Sequence, residues 1–177
     1  QEFDNSCGSQ VFAMDPRFGP LAGKMIHTSY GRGWIYWVCE HEVDGVAQAA
    51  ASRFPFQCAS GVMRIRQGPH DGAVYATGLK GWDTFVKKDG CFDRVRPTGE
   101  SSCHMVGWTV VRDAIVIEYS EPLDEKTASD PSRWKPNQWN YRWTPGYGSP
   151  KLPPKSGTYG TEPAPATSDP QTPRQNS

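Results

Sequence analysis

Two arginines one residue apart, Arg64 and Arg66, stand in GVMRIRQ, and the same spacing returns as Arg94 and Arg96 in CFDRVR. A strand puts residues i and i+2 on one face, so each pair projects to one side. Two such pairs on nearby strands, with Lys80, Lys87 and Lys88 in the loops, would make a positive patch. Either the patch binds an anion, or these are solvated and salt-bridged arginines of an ordinary sheet. His27 leads into the turn SYGRG and is the best single candidate for a polar site residue; the competing reading is a hydrogen-bonded structural histidine. Trp82, in GLKGWDTF between two strands, is a loop aromatic and a candidate ligand contact. Trp34, Tyr36, Trp139, Tyr141 and Trp143 offer further flat faces for sugar stacking, but such rings also fill sheet faces well. The period of two in Trp139, Tyr141 and Trp143 favours the buried face of a sheet.

Other chemistry has little support. His27, His41, His70 and His104 stand singly, without the H-x3-5-H spacing of a zinc site, so no metal site is expected. No glycine-rich phosphate loop and no G-x-S-x-G elbow occurs, and no catalytic residue can be assigned. The five cysteines, Cys7, Cys39, Cys58, Cys91 and Cys103, include no C-x-x-C, and Glu100 stands where a haem-attachment motif needs the first thiol before Cys103-His104. Isolated cysteines in strands read as small buried apolar residues. An oxidising setting would permit a pair such as Cys39 with Cys58, with the connectivity open. The 19 basic and 19 acidic residues balance, and no basic stripe points to nucleic acid. No apolar run approaches the roughly 18 residues of a membrane span. The sequence starts at Gln1, without a signal peptide, and is expected to be a processed product or a piece of a longer chain.

The elements that must position these residues are short strands. Gly61 to Thr77 reads as two antiparallel strands around a turn, where Asp71-Gly72 is a strong hairpin signal. Cys91 to Arg96 is a third strand, entered through Asp89-Gly90. Upstream, VFAM, KMIHTS and WIYWVC read as strands, Asp44-Gly45 as a hairpin turn, and Val46 to Phe56 as an outer strand. Residues 1–56 and 57–99 thus look like two successive four-strand units. Ala114 to Ser120 alternates as a strand, Asp124 caps a helical turn through Ser129, and Gln138 to Trp143 alternates again. From Pro150 the chain holds seven of its 16 prolines in 28 residues, so this tail is expected to be disordered.

RIRQGPHDGAVYATG followed by DGCFDRVRPTG resembles the last blade of the soluble glucose and aldose dehydrogenase-like β-propellers, the pyrroloquinoline quinone (PQQ) type. SCGSQVFAMDPRFGPLAGKMIHTSYGRGWIYWV resembles the blade before it, and the run to TPGYGSP resembles the large planctomycete-type membrane-bound or sorbosone dehydrogenases. IEYSEPLDEKTASDPSRW resembles immunoglobulin-like modules that follow such propellers. A sandwich of that kind needs about seven strands, and only three or four are present.

The resemblance implies an all-β chain: about two propeller blades over 1–100, an incomplete immunoglobulin-like segment over 101–149, and the tail over 150–177. It implies a secreted or periplasmic sugar or alcohol dehydrogenase-like protein, with PQQ and calcium in the intact protein and a cytochrome c domain elsewhere. Missing blades or a partner chain would cover the open ring. By the match to SYGRG, the resemblance puts the family's quinone-holding lysine at Gly31, next to Arg32, and by alignment on the QGP turn it puts the two arginines at Gly61 and Met63. Three carboxylates need cationic forks, so the quinone site on this chain reads as lost or rebuilt. The alternative is a non-catalytic propeller module that presents aromatic and arginine residues to a polysaccharide or a protein.

Overall fold

The computed structural model describes residues 3–111, 114–146, 148–154 and 162–163. The fold is all-β, with antiparallel sheets and very short helices. It divides into two units, Gln1–Glu121 and Pro122–Ser177.

The first unit opens with a four-stranded meander: β1 (Cys7–Phe12), β2 (Met25–Ser29), β3 (Trp34–Val43) and β4 (Val46–Gln57), hydrogen-bonded in that order. β3 and β4 meet at Asp44-Gly45, both at positive φ (51° and 77°), the turn that matches the twist of paired strands. A three-stranded meander follows: β5 (Gly61–Gln67), β6 (Val74–Leu79) and β7 (Gly90–Val95). Its expected fourth strand is not found among the described residues; the nearest element is an isolated bridge from Ser60 to Val86. A hairpin completes the unit: the expected strand at Ala114 to Ser120 is β9 (Ala114–Tyr119), and it pairs with an unanticipated strand, β8 (Met105–Val111).

The core lies between the two meanders. Ile26, Ile35, Trp37, Cys39 and Phe54 come from the first, and Val62, Ile65, Val74 and Ala76 from the second. Phe18 and Leu21, from the 3-10 turn Pro16–Leu21, close one side. Two indoles clamp the β8–β9 hairpin to β3: Trp37 Nε1 donates to the Met105 carbonyl at 2.8 Å, and Trp108 Nε1 donates to the Cys39 carbonyl at 2.9 Å. All five cysteines are free, and burial pushes the thiols of Cys39, Cys58 and Cys91 up, away from the reactive thiolate.

β5 changes phase part-way. Val62 faces Gly78 and Arg64 faces Thr77, so Met63 is an extra residue in the ladder, a bulge. Strict alternation would put Val62, Arg64 and Arg66 on one face. The bulge lets Val62 and Ile65 both enter the core while Arg64 and Arg66 stay exposed.

In the second unit Asp124 caps α1 (Glu125–Ala128), accepting from Thr127 N at 2.9 Å, and Trp134 Nε1 donates to the Ala128 carbonyl at 2.9 Å. β10 (Asn137–Gln138) pairs with β11 (Glu162–Pro163), and Asn140 and Leu152 exchange backbone bonds. The expected buried aromatic face over Gln138 to Trp143 is overturned, because Trp139, Tyr141 and Trp143 are all exposed. Among the described residues the chain pairs here only at 137–138 and at Asn140, so they form no sheet face to cover the rings. Most of the tail expected to be disordered lies outside the described residues.

Gly61 lies against the backbone of Tyr30, and a Cβ there would run into the Tyr30 carbonyl oxygen, whereas a Cβ at Gly90 meets only ordinary contact at 3.4 Å. Gly61→Ala is therefore expected to destabilise the chain by roughly 1–3 kcal/mol, and Gly90→Ala by less than about 0.5 kcal/mol. Urea unfolding of both variants checks this; equal midpoints would contradict the close approach.

Candidate functional site

The outward face of the second meander carries the richest group of exposed side chains. Arg66, Tyr75 and Arg94 form one cross-strand row, and Arg64, Thr77 and Phe92 form the next. Paired residues share a face, so three arginines surround two aromatic rings. The rings of Tyr75 and Phe92 lie nearly parallel, 5.6 Å apart at 21°, and Phe92 is 70% exposed. Arg64 and Arg66 each donate to a carbonyl of their own strand, Met63 at 2.8 Å and Ile65 at 2.7 Å, and have no acidic partner among the described residues. A guanidinium has five N–H donors, so most of theirs remain for a ligand. Arg96 is exposed just past the end of β7.

The β5–β6 turn forms a wall beside these rings. Gly68, Pro69, His70 and Asp71 line an open groove with Tyr75 and Phe92. The turn is tied to the β1–β2 connection from below. Gln67 accepts from Met14 N at 3.0 Å and donates to the Gly72 carbonyl at 2.9 Å. The Arg17 guanidinium bonds the Asp71 carbonyl while Asp15 holds it at 2.9 Å. Asp71 then accepts from Tyr75 Oη at 2.7 Å and lies 3.8 Å from Arg94. The groove thus offers a carboxylate, a histidine and an aromatic wall on a braced turn, with Arg66 and Arg94 in the cross-strand row of Tyr75.

The tyrosine hydroxyl is the leading cause that holds the Asp71 carboxyl below its ordinary 3.8, and hydrogen bonds from Arg17 take Asp15 to about 2. Both carboxylates are therefore ionised at neutral pH.

The structure gathers Arg64 and Arg66 of the sequence candidates onto this face and leaves the others elsewhere. Trp82 is 91% exposed in the loop after β6, with no hydrogen bond or ring contact among the described residues. Arg32 sits in the β2–β3 turn, where its N–H donates to Ser29 Oγ at 3.2 Å and its carbonyl accepts from Gln57 at 2.8 Å. His27 lies on the first meander, on the face turned from the core, bonded to Asp4 and Gln10. Sequence reasoning missed Tyr75, Phe92, His70 and Asp71 as a group. The available signal was their place in and beside the turn between the two Arg-x-Arg strands.

Gly31 and Gly61 fall where the resemblance implies cations for a quinone. A Cβ at Gly31 would run into the Asn5 carbonyl, as one at Gly61 would into that of Tyr30. No lysine or arginine side chain has room to start from either backbone, and these residues do not fit PQQ. No family model matches the chain, and no curated protein or solved structure matches it.

A carboxylate with a lowered folded pKa stabilises the native state above its unfolded pKa, and that contribution is lost as pH falls through the folded value. The bracing of the turn is therefore expected to hold at neutral pH and to weaken below about pH 4. Tyr75→Phe is expected to raise the Asp71 titration midpoint toward 3.8 in carboxyl NMR. An unchanged midpoint would show that the hydroxyl does not hold the carboxylate.

Proposed function

We propose that this chain is the C-terminal part of a secreted or periplasmic sugar or alcohol dehydrogenase-like β-propeller. In this reading its blades bind carbohydrate and do not carry the oxidation. The ligand is an acidic sugar chain, whose rings lie on Tyr75 and Phe92 and whose carboxylates meet Arg66 and Arg94. The observation that carries the reading is the exposed Tyr75–Phe92 pair between the arginine rows, beside the braced turn. Aromatic faces take the apolar faces of sugars, and guanidinium forks match carboxylate geometry.

Two successive antiparallel meanders with a shared core support the propeller part of the reading. Further blades or a partner chain would cover Ile115, Val116 and Ile117, which are exposed on β9. The lack of room at Gly31 and Gly61 favours binding over quinone-dependent oxidation in these blades.

Calorimetry with a uronic-acid oligosaccharide and a neutral one of equal length tests this. The acidic chain is expected to bind more tightly and to weaken as salt is raised. Arg66→Ala should cost about tenfold or more in affinity. Phe92→Ala should cost about threefold to tenfold. Equal binding of the neutral oligosaccharide, or an unaltered affinity in both variants, would overturn the proposal.

A further inference from the structure

A second group of polar side chains lies on the first meander, independent of the groove. His27 is in the middle of β2, paired with Gln10 on β1 and Tyr36 on β3. Its ring turns away from the core and is held on several sides. Gln10 Nε2 lies 2.9 Å from Nδ1, Asp4 Oδ2 lies 3.0 Å from Nε2, and the Tyr36 ring sits 5.9 Å away. The segment before β1 crosses this face and brings Asp4 to it, and Cys7 opens β1 beside it.

That segment is fixed at four points. Tyr36 Oη donates to the Phe3 carbonyl at 2.5 Å, and Ser29 Oγ donates to the Asn5 carbonyl at 3.1 Å. Gly31 N donates to the same Asn5 carbonyl at 2.7 Å, and Tyr30 N donates to the Ser6 carbonyl at 2.8 Å. The Phe3 ring packs on Tyr36 at 4.8 Å. Ser6 takes a positive φ of 57°, and the chain turns there to bring Cys7 Sγ to 3.8 Å from Asp4 Oδ2. One ligand atom from each of Asp4, Cys7 and His27 lies within 4.8 Å of the other two.

An Asp4–His27 ion pair would by itself explain two of these residues. It does not explain the thiol beside them, or the side-chain partner on the far nitrogen of the imidazole. A tetrahedral zinc ion has bonds of about 2.0 Å to N and O and 2.3 Å to S, which separates its ligand atoms by roughly 3.3–3.6 Å. The observed 3.0 and 3.8 Å bracket that range. Thiolate and imidazole together select zinc over the hard cations calcium and magnesium.

We infer that Asp4, Cys7 and His27 form a zinc-binding site, with Gln10 as its positioning residue. With the Gln10 amide turned over, Oε1 accepts from Nδ1–H, which leaves the Nε2 lone pair for the metal. On binding, the Cys7 thiol releases its proton to solvent and a Zn–S bond forms. The carboxylate and thiolate together balance the charge of the ion. Water takes the fourth position, as in zinc sites with three protein ligands.

Titration of the reduced full chain with Zn²⁺ in a calorimeter is expected to give one ion per chain. Co²⁺ in its place should show thiolate charge-transfer absorption in the near ultraviolet and the intense visible bands of tetrahedral coordination. Cys7→Ser, at an exposed position, should fold normally and abolish the charge-transfer absorption; Asp4→Asn should weaken binding. Gln10→Ala should keep the stoichiometry and lose about tenfold in affinity. Cys103→Ser, which removes the other exposed thiol, should change nothing. The inference is overturned by the absence of zinc binding, by thiolate absorption that survives in Cys7→Ser, or by absorption lost in Cys103→Ser.

Discussion

Met63 is inserted opposite β6 without a partner of its own, and the insertion turns β5 over part-way along its length. Before it, Val62 points into the core; after it, Ile65 does so again, three residues later instead of two. Without the bulge, either Val62 would leave the core, or Ile65 would leave it while Arg64 and Arg66 entered. Burying an unpaired guanidinium is far costlier than one irregular ladder position. The core therefore enforces the bulge, and the bulge aims the arginines.

The same economy shapes the rest of the unit. The two meanders share one core, with Trp37 and Trp108 each using its single N–H to fasten the β8–β9 hairpin. Where the backbones approach most closely, glycines stand, and at Gly31 and Gly61 that packing removes the room a long cationic side chain would need. The turn at 68–73 is braced by Gln67, Asp15 and Arg17, so the groove residues are held by charge and backbone bonds from the neighbouring sheet. Pre-organisation of that kind lowers the ordering cost of binding a ligand.

Much of the fold was legible in the sequence because strands and turns are written locally. Asp44-Gly45, Asp71-Gly72 and Asp89-Gly90 marked the hairpins, and β2 to β7 fall close to where they were expected, whereas β1 (Cys7–Phe12) begins before the expected run Val11 to Met14. The longer reach of β3 was less visible, since Glu40, His41 and Glu42 carry little strand signature. The β8 strand was overlooked, and the Trp139–Trp143 alternation misled, because a period of two promises a buried face only when a partner strand exists to make a sheet. The candidate groove was half legible: Arg64 and Arg66 stood out, but their companions depend on the bulge and on cross-strand register, which no single segment encodes. The Asp4–Cys7–His27 group was illegible for a similar reason, as its members join across a fold-back of the chain and a strand pair.

The proposed ligand surface is the outward face of β5 to β7, aimed by the phase change at Met63. Amide and side-chain NMR of the full chain, titrated with a uronic-acid oligosaccharide, tests it most directly. Shifts clustered at Arg66, His70, Tyr75, Phe92 and Arg94 are the expected result. Shifts confined to Trp82 or to Trp139, Tyr141 and Trp143, with that face unmoved, would contradict it.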